Sequence, residues 1–351
     1  MVEPLLRHIA RLGEDIDELS AADRFSGCVM IGRDNEVLLA QARGLASRAH
    51  GIPNRIDTKF NLGSMNKMFT AVAVAQLAER GQLVFQDPVA KYWPDYPHPA
   101  VGEQVTIEHL LTHTSGLGDY FTAEFKAGAR DRFRAVTDYL PLFVNEPLAF
   151  EPGARFKYSN AGFILLGALI ERASGQDYFT YVRENIYLPA GMTDTDAYEM
   201  DEDRPNQATG YTHFGPDERP RPGPRRSNNF LHVFKGGPAG GGFSTCPDLL
   251  RFDRALREHR LLAKQTTEHL IAGKVETGRG YRYALGFQEV LMNGHRIIGH
   301  AGSFAGISNQ LDMYWDSGYT VAVLSNYDPP VGLEVAKKAR EILARHDSSL
   351  L

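Results

Sequence analysis

From Met65 to Arg80 the chain carries Met68, Phe69, Val72, Ala75, Leu77 and Ala78 in an alanine-rich, mostly apolar run that stops at Gly81. Such a run is a helix buried in a core rather than one lying on a surface, so the rest of the protein must be built around it. Its entrance reads Ser64-Met65-Asn66-Lys67, and the spacing puts hydroxyl and amine on one helical face. Lys67 falls in the first turn, where the helix dipole and burial both disfavour a cation; a solvated structural role explains it poorly. An amine in that setting has a lowered pKa, and its neutral form is one of the few groups able to take the proton of a serine hydroxyl. Ser64 at the same terminus has a backbone N–H free to bind a developing oxyanion. The tetrapeptide therefore proposes an acylating serine hydrolase.

Two further elements carry polar groups between apolar segments. Tyr158-Ser159-Asn160 follows the turn Glu151-Pro152-Gly153 and precedes the apolar helix Ala161 to Ala173, with Asn160 expected as the helix cap. Gly299-His300-Ala301-Gly302-Ser303 lies between Arg296-Ile297-Ile298 and a strand-like stretch beginning near Ile307. Its small residues would let a substrate lie along an edge strand.

In this order and at these separations, Ser-x-x-Lys, Tyr-x-Asn and His-Ala-Gly resemble the three active-site elements of the serine β-lactamase and penicillin-binding protein superfamily. The closer resemblance is to its class C β-lactamase branch, with esterases and D-amino-acid peptidases. It extends over nearly the whole chain, through Phe25-Ser26-Gly27-Cys28-Val29, Leu110 to Leu117, Leu188 to Thr193 and Gly240 to Thr245. The resemblance implies an α+β fold of the β-lactamase/transpeptidase type: an antiparallel sheet flanked by helices, built from both chain ends, with an inserted, mostly helical lobe. Residues 1–63 and 270–351 would form the sheet lobe and 64–269 the helical lobe, with the active site between them. Ser64, Lys67 and Tyr158 would be catalytic, and Asn160, His300, Gly302 and Ser303 would bind or support substrate, with no cofactor and no metal. The backbone N–H groups of Ser64 and Ser303 would form the oxyanion hole. Whether Lys67 or Tyr158 is the general base stays open, a lysine ammonium being able to favour the tyrosine phenolate. The implied substrate is a small ester, amide or β-lactam, and the loop composition, including Gly118-Asp119-Tyr120-Phe121 and the proline-rich insertion, hints at an aromatic-walled acyl pocket without identifying its occupant. One departure matters: His300 stands where β-lactamases and penicillin-binding proteins usually carry lysine. An unperturbed imidazole is only about a quarter protonated at pH 7, which leaves acyl transfer intact but weakens any anchor for a β-lactam carboxylate.

Composition agrees. At 351 residues with 43% hydrophobic and 23% charged, the chain is ordinary for a globular protein of two lobes, and a net charge of −5 gives no basic field for nucleic acid. Arg219, Arg221, Arg225 and Arg226, interleaved with prolines, read as a solvated loop. Met1 to Ser20 alternates apolar and charged residues as an amphipathic helix, without the uninterrupted apolar core of a secretion signal; neither membrane insertion nor export is expected, and the cytoplasm is the expected compartment. Cys28 and Cys246 have no metal spacing and read as free thiols. His109 and His113, one helical turn apart, could share a metal, but no glutamate stands where a zinc protease needs one, and a hydrogen-bonded structural histidine is the better reading. No Gly-x-Ser-x-Gly occurs, against an α/β-hydrolase. A binding module that captures a peptide-like ligand without turnover has no need of Ser64, Lys67 and Tyr158 together.

Strand-like runs fall at Phe25 to Ile31 and Glu36 to Ala40, joined by Arg33-Asp34-Asn35, and again at Tyr283 to Leu291, Arg296 to Ile298, Ile307 to Tyr314 and Tyr319 to Ser325, with Asn293-Gly294 as a hairpin turn. Val331 to Arg345 closes the chain as a helix.

Overall fold

Two segments from opposite ends of the chain, Gly27–Arg33 (β1) and Tyr319–Ser325 (β8), are buried along nearly their whole length. A strand apolar on both sides has to be covered on both faces, which puts these two at the centre of a layered structure. In the computed structural model, which describes residues 2–34, 36–215, 217 and 219–346, they pair antiparallel with Gly27 opposite Ser325 and Arg33 opposite Tyr319. Glu36–Arg43 (β2) flanks β1. On the other side follow Ile307–Tyr314 (β7), His295–Phe304 (β6), Gln288–Met292 (β5), Arg282–Tyr283 (β4) and Val275–Glu276 (β3). The result is one eight-stranded antiparallel sheet in the order β2-β1-β8-β7-β6-β5-β4-β3, to which both ends of the chain contribute.

The twofold period of the strands divides the apolar side chains between two cores. Val29, Ile31, Val321 and Val323 face the N-terminal helix Val2–Ala21 (α1) and the C-terminal helix Val331–His346 (α5). Cys28, Met30, Leu311, Met313, Ala322 and Leu324 face the opposite way, into the core that holds Asn66–Glu79 (α2), Asn160–Ser174 (α3) and Cys246–Arg257 (α4). Of these, α4 lies directly on β1 and β8, and the thiol of Cys246 points at the Cys28 carbonyl, 3.5 Å away. Both cysteines are free and buried. No helix among the described residues is long and apolar enough to cross a membrane.

Three local expectations change. The run Tyr283 to Leu291 is interrupted, because Gly286 turns with φ +76° and Ala284 N–H bonds back to the Phe287 carbonyl. Arg296-Ile297-Ile298 does not end before the glycine-rich element; β6 continues through it to Phe304. Of the arginine cluster, Arg225 is not solvated: it pairs with Asp23 at 2.9 Å and lies over the Tyr327 ring, its side chain only 15% exposed. Asn35, in the turn proposed between the first two strands, lies outside the described residues.

The α5 layer is fastened by one buried ion pair. Arg340 meets Asp312 of β7 with two parallel hydrogen bonds, 2.6 and 2.7 Å, and Asp312 is 1% exposed. Removing one member of such a pair leaves a buried, uncompensated charge. Arg340→Ala should lower the free energy of unfolding by about 3–5 kcal/mol; urea denaturation checks this, and a loss below about 1 kcal/mol would contradict it.

Candidate active site

The buried helix α2 does not start directly. A single 3₁₀ turn, Gly63–Met65, precedes it and presents Ser64 at the surface of a cavity of about 210 Å³, whereas Asn66 to Leu77 are all buried. Gly63 takes φ +54°, a backbone state other residues resist. Against this turn lies the end of β6. Opposite Gln288 of β5 the last paired residue is Gly299, and beyond it β6 pairs with β7 alone, so Ala301 to Phe304 offer a free edge on the serine side. A Cβ on Gly302 would stand 1.9 Å from the Leu62 carbonyl oxygen, so only glycine lets the two backbones approach. This close approach carries Ser303 to the wall of the same cavity as Ser64.

Lys67 lies one turn further along α2 and is fully buried. Its Nζ reaches Asn160 Oδ1 at 2.8 Å and donates to the Ala239 carbonyl, and it stands 4.8 Å from the centre of the Tyr158 ring. Burial pushes this amine down to about 7, and the charge of Asp119 opposes the shift. An alkyl amine is here divided between its two protonation states at neutral pH.

Tyr158 is half-buried, hydrogen-bonded to the Ser64 side chain, and its phenol is pushed up, chiefly by burial. The phenolate considered from sequence is therefore disfavoured: removal from water outweighs the help of Ser64, and the phenol keeps its proton near neutrality. The His113 ring packs 4.1 Å from the Tyr158 ring and its Nδ1 accepts from the Ser159 N–H at 3.1 Å. His109 Nδ1 accepts from the Thr106 N–H at 3.2 Å in a capping box, so each histidine of that pair is engaged with backbone.

His300 does not line the cavity. Its Nδ1 faces the Ala301 carbonyl at 2.6 Å, its Nε2 meets the Tyr283 hydroxyl at 2.8 Å, and burial followed by the nearby Lys67 depresses it to about 3. The quarter-charged imidazole expected from sequence is thus a neutral one, because no water reaches it and an ammonium stands near.

Asn160 is not the cap of α3. Ser159 is, accepting from the Gly162 N–H at 3.1 Å and donating its hydroxyl to the Gly118 carbonyl at 2.6 Å. Relieved of capping, the Asn160 side chain bridges Lys67 and Asp119, donating from Nδ2 to Asp119 Oδ2 at 2.9 Å. Asp119 was not singled out from sequence as a site residue; its only signal was a place in Gly118-Asp119-Tyr120-Phe121, whose aromatics do line the cavity. His232, likewise missed, lines the cavity with its ring against Phe304 and is depressed to about 4 by burial.

A hydroxyl, a protonated phenol and a glycine-permitted close approach of two backbone segments thus meet at one cavity, and an amine poised near neutrality is buried behind Asn160 of its wall. The family model described as Beta-lactamase matches residues 10–345. The chain belongs to the beta-lactamase family. Among relatives of this beta-lactamase-family protein, a penicillin-binding protein of Bacillus subtilis (strain 168) is 32% identical over 96% of this chain and 76% of its own length. Esterase EstB of Burkholderia gladioli is 38% identical over 53% of this chain and 50% of its own. The crystal structure of a penicillin-binding protein from Bacillus halodurans superposes with a TM-score of 0.84 at 32% identity, covering 93% of this chain and 98% of that one. The fold is that of the β-lactamase and penicillin-binding proteins, as the motifs implied.

Proposed function

We propose that this protein is a serine hydrolase acting on small esters or amides through an acyl-enzyme, most closely an esterase of the class C β-lactamase-like branch. The observation that carries the reading is Lys67: an amine held wholly out of water three residues after a partly exposed serine, bonded to Asn160 of the cavity wall and with its pKa near 7. A structural lysine gains nothing from such a place, whereas a general base is best matched to the operating pH. The kinship with an esterase and with penicillin-binding proteins supports the same reading.

In this proposal neutral Lys67 takes the Ser64 proton as Oγ attacks the carbonyl carbon. The oxyanion is held by the Ser64 and Ser303 N–H groups. As the C–O or C–N bond breaks, Tyr158 gives its proton to the leaving group and is reprotonated from the lysine ammonium. Water, deprotonated along the same path, then hydrolyses the ester of Ser64. Asn160 holds the amine in place, Gly302 keeps the Ser303 N–H close, and His300 braces Tyr158 from behind, through Tyr283 and the His113 ring, rather than touching substrate.

No lysine or arginine lines the cavity among the described residues, and His300 is neutral. A substrate carboxylate thus lacks the charge-assisted hydrogen bond that contributes about 1.5–3 kcal/mol. The protein should therefore hydrolyse p-nitrophenyl butyrate with a kcat/KM at least about tenfold above that for nitrocefin at pH 7, with D-amino-acid amides as a third arm. Mass spectrometry of the intact protein reads the acyl-enzyme. Nitrocefin as the better substrate would defeat the esterase reading, and binding without turnover of any arm would favour a binding module.

A further inference from the structure

Next to the catalytic cavity lies a larger one of about 660 Å³, and Phe121, Phe125, Leu231 and Phe304 line both. The shared wall is already packed: the Phe121 ring stacks over Phe304 at 6.2 Å and 19° and meets Phe125 edge-on at 5.1 Å. Arg130 braces it, its guanidinium 4.1 Å from the centre of the Phe125 ring and bonded to the Phe125 carbonyl. Phe214, Phe234, Ala129 and Pro329 extend the outer wall, and Phe230 stands at it 82% exposed. An aromatic ring left that open contributes little to the core, and an exposed apolar side chain on a concave apolar wall marks a binding surface. The volume falls within the range of small-molecule sites, roughly 300–1,000 Å³.

Resting on the hydrolase reading, we infer that this outer cavity is the acyl subsite and that the preferred substrates are esters of medium-chain or arylalkyl carboxylic acids. Acetyl groups fit within the inner cavity alone and leave the outer one without an occupant. The side of the ester that enters it follows from where the chemistry sits. Tyr158, which delivers the proton to the leaving oxygen, and Asn160 line only the inner cavity, so the alcohol leaves there. Phe304 directly follows Ser303, whose N–H faces the carbonyl oxygen, so the substituent on the carbonyl carbon passes Phe304 into the outer space. The occupant is apolar because the wall is: six phenylalanines and a leucine line it, with charged groups, among the described residues, only at Lys126, Arg130 and Asp131.

The test is a series of p-nitrophenyl acetate, butyrate, hexanoate and octanoate, each below its micelle concentration, with the full chain. Burying a methylene changes an equilibrium by roughly three- to fourfold, so kcat/KM should climb by on the order of 10² from butyrate to octanoate. Ala129→Trp, which fills the outer cavity, should lower the octanoate-to-acetate ratio by about tenfold or more. Phe230→Ala, at an exposed position where truncation leaves the core intact, should lower the same ratio severalfold. A flat or falling series in the wild type, with Ser64 acylated by acetate and butyrate, overturns the subsite and leaves the hydrolase standing. Gains that follow the alcohol in a series of alkyl acetates, and not the acyl chain, overturn the acyl assignment. Failure of every ester to acylate Ser64 overturns both readings.

Discussion

Ser64→Ala is expected to lower kcat for p-nitrophenyl butyrate by about 10⁴-fold or more, because it removes the atom on which the acyl group is carried and with it the division of one hard step into two. The variant should fold. Ser64 sits in a 3₁₀ turn at the edge of the cavity, and its hydroxyl bonds only Tyr158 among the partners described, so its melting temperature should stay within a few degrees of the wild type. A fluorophosphonate should add mass to a peptide containing Ser64 and to nothing in the variant. The competing serines are unequal. Ser115 and Ser159 are 1% exposed and spend their hydroxyls on the Leu117 N–H and on the cap of α3, whereas Ser303 is exposed on the cavity wall. Ser303→Ala is therefore the informative control, and label or turnover that followed Ser303 would sink the assignment of Ser64.

Lys67→Ala and Tyr158→Phe should each cost on the order of 10²–10⁴ in kcat, and the double variant little more than the worse of the two, because amine and phenol act on one proton path. Losses that multiply in full would exclude a shared path. The pH dependence has a definite sign. The working form of Lys67 is the neutral amine, whose fraction grows with pH, so kcat/KM should rise through an apparent pKa near 7 and then level. Asp119 raises the Lys67 pKa by its charge. Asp119→Asn should move the midpoint of that rising limb to lower pH, and a midpoint that moves up or stays would show that the limb belongs to another group. His232 and His300, both depressed well below neutrality, are already uncharged across this range and should not contribute to it.

Much of the site was legible because its chemistry is local. A serine and lysine three residues apart at the head of an apolar run are kept near each other by the chain itself, here a 3₁₀ turn that runs directly into α2. The same holds for the reading of that helix as buried: every residue from Asn66 to Leu77 is so. Tyr158 and Ser303 became readable only through resemblance, since nothing in their own neighbourhoods points toward Ser64. Asp119 escaped because the fold alone brings its charge near Lys67 and links the two through Asn160, by two hydrogen bonds across three distant segments. Asn160 was misread as a cap for a comparable reason. Asparagine and serine both cap helices, and only the path of the backbone at Ser159, extended with φ −138° and ψ 115°, chose between neighbours.

By itself, then, the sequence determined most of the elements and a candidate nucleophile: periodicity places strands and helices, and the Ser64–Lys67 spacing keeps hydroxyl and amine in one short segment. The direction of the Lys67 shift was legible in the sequence, whereas its extent, the neutral state of His300 and the shape of the site were decided by tertiary structure. Lys67 falls to about 7 and His300 to about 3 because the sheet, α2 and α3 close over them and exclude water, a cost set chiefly by neighbours in space. Of the aromatic outer cavity the sequence offered only a hint, in the composition of the loop at Gly118 to Phe121 and of the proline-rich insertion. Its walls come from Phe121 and Phe125, from Phe214, Phe230 and Phe234, and from Phe304, three stretches that no periodicity relates and that only the folded chain brings to one surface.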